Sequence, residues 1–382
     1  MNTAARRFRL WGTFAVLLSL AGCATWSHTA QKEAARRWSV ARAQVKTRLA
    51  SDQFEAGNVT AAAKEIAEAD RLAPNDPEHI PLRVRIWLAE GKLTQAAELL
   101  EQARLDYLRA ELGQLKPGQA EAEPSRPHPG QAEIEYLLGV VRQQQQRSDE
   151  ALAAYTRAAE IDNTEVSYVV AVVQTLLQLG RSRDALDVLV ESAPRFEWTG
   201  AYQAALAECH EQLGDWPAAM AAWQRLASAG GPQTETRARL AQAAYRAGRY
   251  TDAIPALLEL LDDAENGSPT LTRLALAECY LATGQTAAAR QQAQAILQRE
   301  RNNVRALRIL ARALAADGDY VPALHIAQQA LAVDGHDAHT LELTAALAWR
   351  AADHKLAAST ATRLAALDAQ NPVAQRILNQ SR

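Results

Sequence analysis

Two stretches of the sequence decide the fold: residues 205–226 read ALAECHEQLGDWPAAMAAWQRL, and residues 239–260 read RLAQAAYRAGRYTDAIPALLEL. Aligning them in one register superimposes Gly214 on Gly248 and Ala219 on Ala253. Each stretch is rich in helix-forming residues, and its single glycine marks a tight turn. The pair therefore predicts two helices joined by a short turn, repeated with a period of about 34 residues.

The same register recurs along most of the chain. Its predicted turn positions are Gly57, Gly91, Gln146, Gly180, Gly214, Gly248, Gly284, Gly318 and Ala352, and an alanine follows each of them at the fifth position. The period is kept throughout, apart from a long interruption between Gly91 and Gln146 and a short one between Gly248 and Gly284. Two helices can cross closely only where their side chains are small, so this alanine predicts a helix contact in each of nine units.

Composition narrows the function classes. The chain has 382 residues, 48% of them hydrophobic, with 18 Gly and 14 Pro, which argues against a disordered or fibrous protein. Its 41 basic and 44 acidic residues nearly balance, whereas nucleic-acid-binding domains usually carry a basic excess. We therefore expect an all-α protein that does not bind nucleic acid.

The repeated helix-turn-helix unit with these small positions resembles the tetratricopeptide repeat (TPR) family. The resemblance covers residues 43–371, with units 1 and 2 in 43–112 and units 3 to 9 in 132–371. No unit has the family's Trp at position 4, and its terminal Pro is present only at Pro74. The resemblance implies a right-handed superhelical solenoid whose first helices line a concave groove.

The first residues have the layout of a secretory signal peptide. Arg6, Arg7 and Arg9 precede an apolar run from Leu10 to Leu20, which is short for a membrane-spanning helix. We therefore set residues 1–22 apart from the fold. Without them the chain keeps 38 basic and 44 acidic residues, a net charge of −6.

Residues 20–23 read L-A-G-C, which resembles the lipobox of bacterial lipoproteins. The resemblance implies lipidation of Cys23, and Ala24 at the following position implies sorting to the outer membrane, facing the periplasm. Residues 23–42 would then form a lipidated tether and the helix that leads into the repeats. The alternative is an ordinary signal peptide cut elsewhere, with Cys23 incidental.

One long interruption separates units 2 and 3. Residues 113–131 contain Pro117, Pro124, Pro127 and Pro129, which predicts a loop, reached by a helix that extends through Leu105, Leu108 and Leu112. Such a loop is either a docking arm or a tolerated insertion. Residues 372–382 are left as a C-terminal tail.

No pattern in the sequence predicts a catalytic or metal site. Cys209 and Cys279 hold the same repeat position two units apart, about 20 Å if neighbouring helices pack normally, too far for a disulfide. His336 and His339 lie around Asp334 and Asp337, with His354 further on, and these polar residues are better explained by helix capping than by a metal. Motifs of the G-x-S-x-G, H-E-x-x-H, C-x-x-C and phosphate-loop types are absent from the sequence. We expect no enzyme activity and no cofactor.

The TPR resemblance assigns groove positions to three kinds of residue. Polar and mildly acidic groups are Gln174, Gln178, Glu208 and Gln242. Basic groups are Arg305, Arg308 and Arg312, at i, i+3 and i+7 of one helix, flanked by Arg246 and Arg350. Tyr136, Tyr245 and Trp349 are either anchors for a ligand or packing residues.

The resemblance thus implies a scaffold that binds envelope proteins, in a pilus, a secretion apparatus or a polysaccharide export complex. The arginines would suit an acidic peptide, because guanidinium groups pair with carboxylates through two hydrogen bonds. The alternative is a glycan-binding module in which sugars stack on the groove aromatics.

Overall fold

A computed structural model describes residues 4–74, 76–114, 129–230, 233–262 and 269–381, with side chains described for 30–74, 76–109, 130–230, 234–262 and 269–381. Within these ranges the chain forms nineteen α-helices and a 3-10 helix at Pro77–His79, without a strand. The chain forms two compact units, which meet in sequence between Leu179 and Gly180. The prediction of an all-α solenoid of helix pairs is confirmed.

The helices of the first unit are α1 Ala4–Glu55, α2 Val59–Leu72, α3 Ile80–Ala89, α4 Leu93–Gln114, α5 Pro129–Gln144, α6 Ser148–Ile161 and α7 Val166–Gln178. Those of the second unit are α8 Ser182–Phe196, α9 Gly200–Leu213, α10 Trp216–Ser228, α11 Gln233–Arg246, α12 Tyr250–Asp262, α13 Pro269–Ala282, α14 Thr286–Leu297, α15 Val304–Ala316, α16 Tyr320–Val333, α17 Ala338–Arg350, α18 His354–Leu367 and α19 Pro372–Gln380. Within each unit, helices that follow one another in the sequence pack together.

The helix-contact alanine lies where the register predicts it. All nine alanines at this position, from Ala62 to Ala357, are fully buried. In the second unit Ala219 and Ala253 belong to one hydrophobic cluster with Ala207, Trp223 and other residues. Small residues at the helix crossing let large side chains such as Trp223 fill the space between successive pairs.

The turn position has one backbone conformation throughout the array. Its seven glycines have φ between +70° and +91°, in the left-handed region where a Cβ is unfavourable. Gln146 and Ala352 hold the same position with φ of 61° and 62°. At these two turns a residue with a Cβ therefore adopts the left-handed conformation that glycine adopts at the other seven turns.

A different glycine marks a close helix contact in the first unit. A Cβ built on Gly139 of α5 would lie 2.5 Å from the ring of Tyr155 of α6. The Tyr155 ring is buried, and its hydroxyl donates to Oε1 of Gln143 at 2.9 Å. The absence of a side chain at Gly139 is thus what admits the tyrosine ring.

The predicted C-terminal tail contains a further helix. Asn371 caps α19 by accepting hydrogen bonds from the backbone N–H groups of Val373 and Ala374. Pro372 stands at the first helical position, where its missing N–H costs nothing. Ala374 and Ile377 of α19 are buried in the cluster formed by α17 and α18. An amphipathic helix of nine residues therefore covers the last repeat.

Two predictions concern residues that the structure describes incompletely. The side chains of residues 1–29, including that of the predicted lipidation site Cys23, lie outside the described residues. Residues 115–128, most of the predicted loop, also lie outside the described residues. Helix α4 ends at Gln114 and α5 begins at Pro129, so both ends of the predicted loop 113–131 are helical. Within the described residues, no helix is long and apolar enough to cross a membrane.

Candidate partner-binding groove

Contacts between the first helices of neighbouring repeats involve three of the predicted groove residues of the second unit, Tyr245, Arg305 and Arg308. The hydroxyl of Tyr245 in α11 donates to Oε2 of Glu278 in α13 at 2.7 Å. Arg305 of α15 donates to the other oxygen of Glu278 at 3.2 Å. Arg308 of α15 donates to Oδ2 of Asp337, the residue that caps α17, at 2.7 Å. A chain of polar contacts thus links α11, α13, α15 and α17.

The part of this surface formed by α9 and α11 is acidic. Glu211 accepts hydrogen bonds from Nε1 of Trp223 at 2.7 Å and from Arg239 at 3.2 Å. Burial raises the pKa of Glu208, Arg239 opposes the shift, and the negative charges of Glu211 and Glu235 add to it. Gln242 is exposed on α11. This region would attract a cationic side chain of a partner.

The part formed by α15 and α17 contains a basic cavity. The cavity has a volume of about 400 Å³ and is lined by Arg308, Arg312, His339, Glu342, Leu343 and Ala346. Arg308 is held by Asp337, and Glu342 accepts from Nδ2 of Asn371 at 3.3 Å. Arg312 is exposed and makes no hydrogen bond or salt bridge with any residue that the structure describes. Its guanidinium group is the one at this cavity without a protein acceptor in the described part of the chain.

Asp337 fixes the position of the neighbouring arginine. Burial acts to raise the pKa of Asp337, but hydrogen bonds from Thr340 together with the charge of Arg308 outweigh it, so the pKa is lowered. The carboxylate therefore stays ionised and holds Arg308 against the wall of the cavity. From the sequence, Asp337 was expected only to cap a helix. The sequence sign of its ion pair with Arg308 is a basic residue 29 positions before an acidic one.

The two flanking arginines lie over aromatic rings. The guanidinium carbon of Arg246 is 5.6 Å from the centre of the Trp216 ring, and that of Arg350 is 5.8 Å from the centre of the Tyr320 ring. Both arginines are exposed. Stacking of this kind fixes the side chain and leaves hydrogen-bond donors at the edge of the guanidinium group for a ligand.

The three groove aromatics pack inside the repeats. The Tyr136 ring lies 5.5 Å from Tyr155 and 5.2 Å from Tyr168. Burial first, and then the hydrogen bond to Glu278, raises the pKa of Tyr245 to about 12. Trp349 lies edge-on to His354 at 4.7 Å. Each ring is partly buried against a hydrophobic cluster, so it packs within the repeats, and its role as an anchor for a ligand stays a prediction.

Two of the predicted polar groove residues, Gln174 and Gln178, lie in the first unit. Gln174 and Gln178 are exposed on α7. Nε2 of Gln143 in α5 donates to Oε1 of Gln178 at 3.0 Å, so these first helices are also linked through groove positions. The first unit thus presents an amide surface of its own.

The cysteines and histidines form no additional site within the described part of the chain. Cys209 and Cys279 are free and buried, and burial raises the pKa of Cys279 to about 11. Sγ of Cys209 donates to the backbone oxygen of Ser182 at 3.2 Å. No group of three or more His, Cys, Asp or Glu residues that could hold a metal ion occurs in the part of the chain that the structure describes. Burial in the core thus disfavours the thiolate form of both cysteines.

Comparison with known proteins identifies the repeats. The tetratricopeptide repeat family matches residues 173–235, 238–300 and 274–331. No curated protein matches the sequence.

Solved structures of repeat proteins resemble parts of the chain. A tetratricopeptide repeat protein from Parabacteroides merdae is 15% identical, with 70% of this chain and 97% of that chain covered and a TM-score of 0.42. PilW, a type IV pilus biogenesis factor, is 16% identical over 56% of this chain and 97% of its own, with a TM-score of 0.44. Pseudomonas aeruginosa pilF is 21% identical over 61% and 99%, with a TM-score of 0.41. The family match falls on the helix pairs whose register the sequence defines, and the repeats within residues 173–331 are tetratricopeptide repeats.

Proposed function

We propose that this protein is a non-catalytic scaffold that binds an acidic segment of a partner protein in the groove of its second unit. The partner would belong to an envelope complex such as a pilus, a secretion apparatus or a polysaccharide export assembly. Tetratricopeptide repeats support protein–protein interaction as the general activity. The L-A-G-C sequence at residues 20–23 supports a lipid anchor at Cys23, and Ala24 at the next position supports sorting to the outer membrane, facing the periplasm.

The observation that carries the proposal is the free guanidinium group of Arg312 beside the basic cavity. Arg308 is already bound to Asp337, whereas Arg312 has no acceptor among the described residues. A carboxylate in the cavity would accept two parallel hydrogen bonds from such a group. The cavity opens on an exposed helix face, so a side chain or chain terminus of a partner can reach it without a rearrangement of the helices.

The packing of the aromatics weighs against a glycan as the ligand. Sugars bind proteins largely by stacking on free aromatic faces, but the rings of Tyr136, Tyr245 and Trp349 are packed against their own repeats. The side chains of Gln242, Arg312 and Arg350, in contrast, are exposed. A charged protein segment therefore fits the groove better than a neutral polysaccharide.

The groove is tested by crosslinking in cells from a photoreactive residue at Ala346, which lines the cavity. We expect a defined envelope protein to be captured, and Arg312→Glu to abolish the capture through charge repulsion. The matched control is Arg225→Glu, which makes the same charge change at an exposed position of the second helix α10. Equal capture by both variants would exclude Arg312 from the binding site.

The anchor is tested separately by metabolic labelling with a radioactive fatty acid. Wild-type protein should be labelled and fractionate with the outer membrane, and Cys23→Ala should lose both the label and the fractionation. Cys209→Ala provides the control, since a buried thiol is no acylation site. Unchanged labelling of Cys23→Ala would refute the anchor without bearing on the groove.

A further inference from the structure

Helix α1 has an apolar face that no other described helix covers. Ala43 and Ala50 are buried in the cluster that α1 forms with α2. Trp38, Val45 and Leu49 are spaced by seven and four residues, which places them along one line on the other side of the helix. Trp38 and Val45 are each 68% exposed, and Leu49 is exposed as well. We call these three residues the outer face of α1.

Basic residues flank the outer face on both sides. Residues 30–50 contain six basic residues and one acidic residue, Glu33. At 100° per residue, Arg37 and Arg48 fall on one side of the outer face and Arg42 on the other. These three arginines are exposed and make no salt bridge with any described residue.

A fourth basic residue shows the contrast between the two sides of the helix. Nζ of Lys46 lies 2.6 Å from Glu65 and 2.8 Å from Glu68, both on α2. Hydrogen bonds to these two carboxylates raise the pKa of Lys46. The basic side chain near α2 thus forms salt bridges within the protein, while the three arginines beside the outer face form none with any described residue.

We propose that the outer face of α1 lies in the headgroup region of an anionic phospholipid membrane. A helix with an exposed tryptophan, aliphatic neighbours and flanking arginines has the pattern of an interfacial helix. Tryptophan favours the boundary between headgroups and acyl chains, and each arginine gains from the negative surface. A second copy of the chain is disfavoured, because pairing two outer faces would bring their flanking arginines together.

This contact goes beyond the proposed function. Acylation of Cys23 fixes one residue at the membrane and sets no orientation for the helix that follows. Contact of Trp38, Val45 and Leu49 with lipid would hold α1 parallel to the membrane plane. The side of α1 that packs on α2 would then point away from the membrane.

The test uses the full chain reconstituted in vesicles, with the photoreactive residue p-benzoylphenylalanine placed at Val45. Lipid adducts are then measured by mass spectrometry in vesicles of phosphatidylcholine with and without phosphatidylglycerol. The matched control places the same residue at Val190 of α8, which is 64% exposed. We expect phosphatidylglycerol adducts at position 45 and none at position 190.

The electrostatic part is tested with the variant Arg37→Glu, Arg42→Glu, Arg48→Glu. Three charge reversals should lower the adduct yield at position 45 on the order of tenfold, since each basic group contributes to attraction by an anionic surface. Equal yields at positions 45 and 190, an unchanged yield in the triple variant, or a crosslink from position 45 to a second copy would each overturn the proposal. Because Cys23 is unaltered in every sample, these results do not depend on whether it is acylated.

Discussion

Ala352 offers a direct measure of what the left-handed turn costs this array. Its φ of 62° places a Cβ in a region that seven glycines occupy at the equivalent position. The left-handed conformation costs a residue with a Cβ about 1 to 2 kcal/mol relative to glycine. Glycine in turn loses about 0.5 to 1 kcal/mol more conformational entropy on folding. Ala352→Gly should therefore raise the free energy of unfolding by about 0.5 to 1 kcal/mol.

The reverse change provides the matched control. Gly284 has φ of +75°, and a Cβ built there meets nothing within 4 Å. Gly284→Ala thus changes the backbone preference without a clash, and it should lower the free energy of unfolding by the same amount. Opposite effects of similar size would show that the turn conformation alone is responsible.

Urea unfolding of both variants, followed by circular dichroism, gives the two free energies. Since repeat arrays can unfold in steps, amide hydrogen exchange provides a local readout. The N–H of Asp353 donates to the oxygen of Ala348 across this turn, and its exchange should slow in Ala352→Gly. Destabilisation by Ala352→Gly, or no effect of Gly284→Ala, would refute the reasoning.

Three further predictions concern packing, charge and capping. Gly139→Ala should lower the free energy of unfolding by about 1 to 3 kcal/mol in urea titration, because its Cβ would lie 2.5 Å from the buried Tyr155 ring; an effect within error would mean that the ring can move aside. Burial raises the pKa of Glu208 above its ordinary value of 4.5. The protonated side chain therefore stabilises the fold fully below pH 4.5, and this stabilisation is lost as the pH rises through the raised pKa. Glu208→Gln should accordingly raise the urea midpoint near neutral pH and leave it unchanged below pH 4.5, and a gain that is independent of pH would contradict this account. Asn371→Ala should cost about 1 kcal/mol and speed amide exchange in α19, because it removes both capping hydrogen bonds; unchanged exchange would show that packing alone holds the helix.

The register of the repeats could be predicted because it depends on local, periodic requirements. A helix crossing needs a small residue and a tight turn needs a left-handed conformation, so Ala219 and Gly214 carry the signal by themselves. The same two requirements return in every unit, at Ala253 and Gly248 in the next one. The helix pairs follow without knowledge of any contact between distant residues.

The state of the groove side chains could not be predicted in the same way. A register assigns Tyr245 to a face of its helix, but whether its ring is free depends on the hydroxyl reaching Glu278, a residue of the next repeat. The sequence does not distinguish Arg308 from Arg312. In the structure Asp337 accepts a hydrogen bond from Arg308, while Arg312 has no acceptor among the described residues. The helix α19 was missed because its nine residues are too few to show a repeat.

The C-terminal helix also bears on how copies of this protein behave at high concentration. The last repeat of an array would expose the same apolar surface that the inner repeats bury against one another. Such a surface could bind the first repeat of another copy, and this head-to-tail addition would continue without closing. In α19 the side chains of Gln375, Arg376 and Gln380 are exposed, while Ala374 and Ile377 face the last repeat. Because the exposed side of α19 is polar, we expect this helix to disfavour the addition of another copy at the repeat that it covers.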